Sequence, residues 1–314
     1  MIWLVLRKAG RALLTLWLVV TLTFVILRVT GDPALAILPT DSPPEVLEHF
    51  RVAWGLDRPI PEQYLLYFRN IADGNLGISF IDDRPAVTVV FEKVPKTLLL
   101  GIPSLLLMLA IGIPAGIAAA LRRDGPLDRL IMTSAVLAHS VPSFVLAILL
   151  IGIFAVRLRW VPTSGSATWS HLVLPIVTLG TSGAAVIARF VRSSMLEILG
   201  MPFIRTAMAK GVAWPMVVRG HALPNAAIPT VTVVGFLVGG LVAGSVIVES
   251  VFAWPGVGRL LVTSVANRDL AVVQTILLLV AATMITANFI IDLLYGWLDP
   301  RLRNGVRKTG GGGK

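Results

Sequence analysis

Six long apolar segments, separated by more polar ones, dominate the pattern of this chain. Each approaches the roughly 20 residues that an α-helix needs to cross the ~30 Å hydrocarbon core of a bilayer. Backbone groups inside a membrane must bond to one another, so segments of this length are expected to be helices. The pattern therefore predicts an all-α polytopic membrane protein with six transmembrane helices. Their approximate bounds are 12–27, 98–121, 130–156, 172–188, 227–248 and 270–298.

The composition supports a membrane protein and excludes several other classes. Of the 314 residues 56% are hydrophobic and 14% are charged, and the mean hydropathy is +0.84. A soluble chain of this composition could not cover its surface with polar groups. The formal net charge is +10, but the basic residues flank apolar spans, which indicates membrane topology rather than nucleic-acid binding. There is no cysteine, which excludes disulfides and thiolate metal sites.

The basic residues that flank the spans predict the orientation of the chain. The short flanks on one side carry 16 arginines and lysines, and the short loops on the other side carry 4. The excess marks the cytoplasmic side, so both termini are predicted to be cytoplasmic. The resulting regions are a cytoplasmic end with the first helix (1–30), an external segment (31–97), a core of five spans (98–298) with a cytoplasmic loop (189–226), and a cytoplasmic tail (299–314).

Each end of the chain carries a feature that has two interpretations. The first apolar segment is expected to stay in the protein as a helix, because Arg28 and Asp32 separate it from the sequence Ala34-Leu35-Ala36, which resembles a cleavage site. The glycine-rich end after Thr309 is predicted to be a flexible tail. It is not a phosphate-binding loop, since no strand precedes it and no helix follows it.

The external regions carry two predicted features. Asp32-Pro33 indicates a helix start, and a further helix is expected over 61–71, broken by the stretch after Gly74. The segment Glu249–Leu261 combines aromatic residues with helix-breaking ones. Two interpretations stay open for it, an outer gate or re-entrant turn and a simple interfacial anchor. The candidate gate residues are Glu249, Phe252, Trp254, Pro255 and Gly256.

Ionisable residues within the spans are sparse, which argues against an ion-driven carrier. His139 is interpreted as a packing residue rather than a proton relay, and Glu249 and Asp292 are expected to reach interfacial water. Gln274 and Asn288 in the last span are candidates either for lining a pathway or for joining helices by hydrogen bonds. No metalloprotease, nucleophile-elbow or cysteine-nucleophile pattern occurs.

The longest polar interruption in the C-terminal half is the loop from Met201 to Pro224. It is predicted to form two short helices with Gly211 at the corner, since glycine adopts a left-handed conformation at little cost. On the first helix Ile204, Ala207 and Met208 are expected to share a face with Gly211. Such a loop either lies on the lipid surface or is held by a partner protein.

The spacing of this loop resembles the ATPase-contacting loop of permease subunits in binding-protein-dependent ABC importers. That family pattern is Glu-Ala-Ala, three residues, Gly, nine residues, Ile, any residue, Leu-Pro. Here Arg205-Thr206-Ala207, Gly211, His221 and Leu223-Pro224 occupy the matching positions. Arg205, Thr206 and His221 depart from the pattern. The Arg-Thr-Ala-x-Ala-Lys-Gly form is similar to the dipeptide, oligopeptide and nickel branch.

The resemblance extends over nearly the whole chain. The long external segment after the first span is similar to that of the first of two permease subunits in such systems. The matching stretches are Gly31-Asp32-Pro33, Gly55–Pro59, Gln63-Tyr64, Gly74–Gly77, Glu249, Phe252–Gly258 and Asp299-Pro300-Arg301.

The resemblance implies a type I (MetI-like) importer permease in a bacterial or archaeal cytoplasmic (inner) membrane. The implied partners are a second homologous permease, two ATP-binding subunits and an extracytoplasmic solute-binding protein. ATP and magnesium would be bound by the ATP-binding subunits, and no cofactor is expected in this chain. The implied ATPase-coupling residues are Arg205, Thr206, Ala207, Met208, Gly211, Leu223 and Pro224.

The implied function is to form half of a translocation pathway, with no enzymatic activity in this chain. Peptides, nickel chelates, glutathione-like compounds and sugars all stay open as solutes. The alternatives are an ion-coupled secondary transporter that acts alone and a membrane-embedded enzyme. The sparse buried charges argue against the first, and the lack of a reactive cluster argues against the second.

Overall fold

The architecture is helical in a computed structural model that describes residues 2–29, 42–53 and 57–298. Within these ranges there is no β-strand, only an isolated bridge between Ile78 and Pro85. The expected helix start at Asp32-Pro33 and the predicted tail 299–314 lie outside the described residues.

The helices are numbered here in chain order. They are α1 (Ile2–Val29), α2 (Pro44–Ala53), α3 (Ile60–Ala72), α4 (Ala86–Phe91), α5 (Val94–Leu121), α6 (Pro126–Ser140), α7 (Ser143–Leu150), α8 (Val173–Leu199), α9 (Pro202–Ala209), α10 (Trp214–Val217), α11 (Leu223–Gly239), α12 (Leu241–Val251), α13 (Val257–Ala266) and α14 (Leu270–Leu298). A π-helical turn, Ile151–Arg157, follows α7, and another, Val218–Ala222, joins α10 to α11.

Four continuous helical stretches are long and apolar enough to cross a membrane, among the residues described. They are Ala86–Leu121, Trp169–Leu199, Trp214–Gly239 and Leu270–Ile291. A fifth span is available if Pro126–Ser140 and Ser143–Arg157, which meet at an angle of 96°, are counted together. The first predicted span lies in α1, whose described apolar part, Gly10–Val25, is shorter. The polytopic helical class is therefore confirmed, whereas the count of six is not established.

The bend in the third predicted span has a local cause. Val141 adopts an extended conformation (φ −79°, ψ 119°) directly before Pro142, as the ring of a following proline favours. Pro142 also has no N–H to continue the helical bonding. One apolar segment of the sequence therefore becomes two helices of different direction.

The fifth predicted span, 227–248, has different bounds in the structure. The helix begins earlier, at Leu223, and ends at Gly239, and α12 starts anew after Gly240. At Gly239 the helix makes a close contact, because a Cβ built there would lie 3.3 Å from the Cβ of Ala287. Gly244 faces open space instead.

The chain divides into two compact units, and the first comprises Met1–Leu98 with Pro255–Thr283. Its external helix α3 matches the predicted 61–71. Tyr64 of α3 hydrogen-bonds Thr21 of α1 at 2.7 Å and packs edge-on against Phe24, with ring centroids 5.3 Å apart. These contacts attach α3 to the first helix.

A buried polar contact joins two segments of the same unit that are far apart in sequence. The hydroxyl of Ser79 donates to a carboxylate oxygen of Asp269 over 2.5 Å, and the other oxygen of Asp269 accepts the N–H of Val272 at 3.3 Å in the first turn of α14. Asp269 thus caps the start of the last span, as carboxylates do at helix N-termini.

The second unit, Leu99–Trp254 with Met284–Lys314, is organised around α8. Half of the residues in the most apolar window of this span are buried, a larger share than in the other three continuous spans. Helix α5 lies against it at glycines. A Cβ built on Gly112 would lie 2.7 Å from that of Ile187, and one built on Gly116 would lie 2.6 Å from the carbonyl oxygen of Ala188. Side chains at these two positions would push the helices apart.

An ion pair joins α6 to α8. Arg192 donates from Nε to Oδ1 and from Nη2 to Oδ2 of Asp128, both over 2.6 Å. The N–H of Asp124 also donates to Oδ2 at 2.9 Å. Asp128 is buried and the Arg192 side chain is mostly buried, so each charge depends on the other for compensation.

We expect Asp128→Ala to lower the free energy of unfolding by about 3–5 kcal/mol, because Arg192 would keep a mostly buried charge without a partner. Unfolding of the purified protein in bicelles by SDS titration measures this loss. The control is Arg123→Ala, since Arg123 pairs with Asp124 at 3.2 Å on the exposed surface and such pairs contribute at most about 1 kcal/mol. Equal losses in the two variants would contradict the assignment.

Candidate functional site

The loop helix α9 has two unlike faces. Ile204 and Ala207 are 2% and 9% exposed and point into the protein. Phe203 and Met208 are 41% and 51% exposed, and Arg205 is exposed as well. A helix of eight residues is too short to be stable alone, so the buried face holds it in place.

The buried face of α9 is part of the main apolar cluster of the second unit. Ile204 and Ala207 pack there with residues of α5, of α8 and of the turn that leads into α11. The other buried members are Met108, Ala120, Ile187, Val191, Met195, Val217, Val218, Ala222 and Ala226. The loop helix therefore belongs to the same packed body as the central span α8.

Gly211 forms the corner after α9, as predicted. Its φ of +79° is left-handed, its N–H bonds to the carbonyl of Met208 at 2.9 Å, and the N–H of Val212 bonds to that of Ala207 at 3.2 Å. This pair of bonds is the Schellman motif, which ends helices at a glycine. Val212 then packs against the apolar cluster, so the corner is fixed on both sides.

The second half of the loop enters α11 without a break. Helix α10 begins at Trp214 and leads through the π-helical turn to Leu223. Leu223 packs against the apolar cluster, and Pro224 lies in the first turn of α11, where its missing N–H costs nothing. Both short helices of the loop are thus observed, with Gly211 between them.

The predicted face of α9 is only partly buried. Met208 lies one helical turn after Ile204, but Met208 is exposed whereas Ile204 and Ala207 are buried. Five residues of the predicted coupling set lie on the surface, namely Arg205, Thr206, Met208, Gly211 and Pro224. Ala207 faces the core, and the Thr206 hydroxyl bonds within the helix to the carbonyl of Pro202 at 3.1 Å.

The sequence reasoning missed several exposed apolar residues of the loop. Phe203, Trp214 and Met216 are at least two-fifths exposed, as is Met208. The sequence already shows that the loop carries large hydrophobic residues near the basic residues Arg205 and Lys210. Which of them face outward depends on how the loop folds.

The candidate gate residues lie inside the protein. Glu249 is fully buried, and its Oε1 accepts the hydroxyl of Ser245 at 2.9 Å. The expectation that Glu249 reaches interfacial water is therefore wrong. Phe252 is also buried, and it belongs to an apolar cluster with Ala147, Leu174 and Val248.

The turn after α12 is held by backbone bonds. The carbonyl of Phe252 accepts the N–H of Gly165 at 2.9 Å, and the N–H of Trp254 donates to the carbonyl of Glu249 at 2.8 Å. Trp254 is almost completely buried, which contradicts a simple interfacial anchor. Pro255 is partly buried, and Gly256 precedes α13 as its N-cap. A gating role for these residues stays a prediction.

The two candidate lining residues lie far apart on α14. Gln274 is half-buried and Asn288 is exposed, and they are separated by about 21 Å along the helix axis. The structure does not bring them together in one site. The side chain of Asp292 lies outside the described residues.

Comparison with known proteins defines the class. The described helices resemble the membrane subunit fold of type I ABC importers. The similar solved structures include an inward-facing MetNI methionine ABC transporter (TM-score 0.58, 24% identity, 67% of this chain and 96% of that chain). They also include an amino acid ABC transporter with histidines (TM-score 0.51, 16% identity, 67% and 94%). At these identities the likeness concerns the fold.

Sequence comparison then gives the family. Residues 112–304 match the family "Binding-protein-dependent transport system inner membrane component", and residues 1–101 match its N-terminal counterpart. The chain belongs to this family. It is 43% identical over 290 residues to the glutathione transport system permease protein GsiC of Escherichia coli O6:H1, and 42% identical to that of strain K12, covering 92% of this chain and 95% of each relative.

The protein is thus a multi-pass inner-membrane permease subunit of an ABC importer, and neither a solitary ion-coupled carrier nor an enzyme. The family implies that an ATPase and a solute-binding protein work with it. The predicted family is confirmed.

The left-handed corner gives a local prediction. Gly211→Ala introduces no clash, since a Cβ there meets nothing within 4 Å, but a side chain at positive φ costs about 1 kcal/mol. Amide hydrogen exchange in residues 204–212 should be about fivefold faster, as that free energy implies. Mass spectrometry of the purified protein measures it.

The matched control is Gly220→Ala, because this glycine also faces open space but has no positive φ. It should leave exchange in 204–212 unchanged. Equal acceleration in both variants would show that the corner does not stabilise α9.

Proposed function

We propose that α9 is the element through which ATP-driven motion enters this permease. The observation that carries the proposal is that one face of this helix is buried while the residues around it are exposed. Ile204 and Ala207 attach it to the core around α8, whereas Phe203 and Met208, on either side of that buried face, are exposed. A helix fixed on one side and open on the other can pass a displacement from a partner into the spans.

Charge and shape favour a protein partner over the lipid surface. The loop from 201 to 224 carries Arg205, Lys210 and Arg219 and no acidic residue. A partner cleft with an apolar floor and an acidic rim would complement it. An interfacial helix would put its most apolar face into lipid, but on α9 that face is already occupied by the protein's own core.

The route of the motion follows from the packing. Val191 and Met195 of α8 share the apolar cluster with Ile204. Arg192, between them in sequence, is bound to Asp128 of α6. Movement of α9 would therefore shift α8 and α6 together. Such coupled displacement of packed helices is the usual form of a two-state transition.

The remaining parts of the importer are proposed from the family resemblance and the charge distribution. Both termini and the 201–224 loop lie in the cytoplasm. A second homologous permease completes the pathway, two ATP-binding subunits hold ATP and magnesium, and an external binding protein delivers a peptide or related small solute. The names of the relatives, glutathione transport permeases, support a solute of this class.

Single cysteines test the docking surface and the topology, since the sequence has no cysteine. Met208→Cys should react with a membrane-impermeant maleimide in inverted vesicles, and binding of the ATPase subunits should protect it. Ala207→Cys, one residue away but buried, should stay unreactive. Trp160→Cys is the topological control, because Trp160 is exposed and should react in intact spheroplasts instead.

Two outcomes would overturn the proposal. Reaction of Met208→Cys in intact spheroplasts would reverse the orientation. Reaction that the ATPase subunits do not slow would remove α9 from their interface.

Gly211→Pro tests coupling itself. Proline cannot adopt φ +79° and lacks the N–H that bonds to Met208, so the end of α9 would be disrupted. In proteoliposomes with the whole importer, we expect solute transport and solute-stimulated ATP hydrolysis to fall at least about tenfold while the subunit remains inserted, a change of roughly 1.4 kcal/mol. Gly220→Ala serves as the control. Normal stimulation in Gly211→Pro would refute coupling through this corner.

A further inference from the structure

An open cavity of about 340 Å³ lies on the surface of this chain between α6 and α8, and all of its lining residues but Val186 are exposed. The lining residues are His139, Val186, Arg189, Phe190 and Ser193. The last four follow one another at helical spacing, so they form one stripe of α8. The opposite stripe, with Ile187, Val191 and Met195, is packed in the apolar cluster. The same helix therefore has one face in the core and another on the cavity.

The charges at the cavity are not compensated within the described residues. Arg189 forms no ion pair with a carboxylate of that part of the chain. Three positions further on, Arg192 uses both oxygens of Asp128, the acidic residue of α6. The cavity thus offers a permanent cation, an imidazole and a hydroxyl, and no acidic group lines it.

The guanidinium and the imidazole lie on membrane-crossing helices, and this position indicates what kind of surroundings they face. Arg189 lies toward the C-terminal end of a helical stretch long and apolar enough to span a bilayer, Trp169–Leu199, and His139 lies in α6, which reaches that length only together with the bent continuation Ser143–Arg157. Ionisable groups in such helices face water-filled cavities or pathways because burial in lipid is costly. His139 is exposed and lies next to the break at Pro142, so its interpretation as a packing residue is wrong.

The lining matches one class of ligand. A guanidinium binds a carboxylate through two parallel hydrogen bonds, and the Ser193 hydroxyl and His139 ring supply further donors. Val186 and Phe190 provide apolar wall. A few polar groups on apolar walls, in a volume of roughly 300–1,000 Å³, are typical of small-molecule sites.

We propose that this cavity binds a carboxylate group of the transported solute, with Arg189 as its main ligand. The inference rests on the proposed function, because it assumes that the solute passes between the spans of this subunit. Arg189 lies on the stretch of α8 that also packs against α9. Occupancy of the cavity would therefore be sensed by the helix that transmits the motion.

The test uses the assembled importer in nanodiscs of neutral phosphatidylcholine, with ¹⁵N-labelled histidine in this subunit. Sodium acetate replaces sodium chloride at constant pH and ionic strength, and acetamide is the uncharged probe of equal size. We expect the ring resonances of His139, identified by their loss in His139→Gln, to shift saturably with acetate and not with acetamide. His171, which is bonded to Thr168 outside the cavity, should not respond.

Variants of Arg189 assign the site. Arg189→Gln should weaken the apparent affinity for acetate by about tenfold or more, the loss expected for a hydrogen-bonded charge pair. Arg189→Lys should weaken it less, because the charge remains. The matched control is Arg157→Gln, which removes an exposed arginine outside the cavity and outside the 201–224 loop and should leave the titration unchanged.

Each other outcome overturns the proposal. Absence of a shift, or an unchanged affinity in Arg189→Gln, would show that the cavity does not bind carboxylate. A shift that requires phosphatidylglycerol and ignores acetate would assign the cavity to a lipid headgroup. Failure of the coupling proposal would be seen separately, as normal ATPase stimulation in Gly211→Pro, and would not alter the acetate titration.

Discussion

The packing of α8 against its neighbours is the constraint on which the second unit depends. Gly112 and Gly116 allow α5 to approach so closely that no Cβ fits between the helices. Since lipid provides little hydrophobic drive for helices to associate, such close contact is what holds membrane helices together. If this contact were lost, the loop helix α9 would lose the surface against which it packs, because Ile204 packs on the same side of α8.

The Asp128–Arg192 pair fixes the position of α6 relative to α8 within that packing. Two bonds of 2.6 Å fix the start of α6 on the second half of α8, and a bidentate pair tolerates little sliding or rotation. Apolar contacts alone would allow such movements at small cost. The pair therefore restricts sliding of α6 against α8, as the proposed transmission of a displacement from α9 requires.

Much of the fold could be predicted from the sequence because the bilayer imposes a length on apolar segments. The corner at Gly211 could also be predicted, because few residues other than glycine tolerate its backbone conformation. The break at Pro142 divides one predicted span into two helices that meet at 96°, and the new helix start after Gly240 interrupts a stretch of uniform hydropathy, so the span bounds were less accurate. The burial of Glu249 and the exposure of Met208 depend on tertiary contacts that no local pattern contains.

The contrast between Arg189 and Arg192 shows why residue type does not predict role. They lie three positions apart on α8, and the sequence alone assigns both to the basic flank of a span. Arg192 meets a carboxylate of its own chain and becomes structural. Arg189 faces a cavity whose described lining has no carboxylate, so its hydrogen-bonding capacity remains available to a ligand. A helix that carries both can thus combine a fixed ion pair with an exchangeable one. If the solute's carboxylate binds Arg189 as we propose, the fixed pair would keep α6 in register during binding and release, because that carboxylate does not have to displace Asp128.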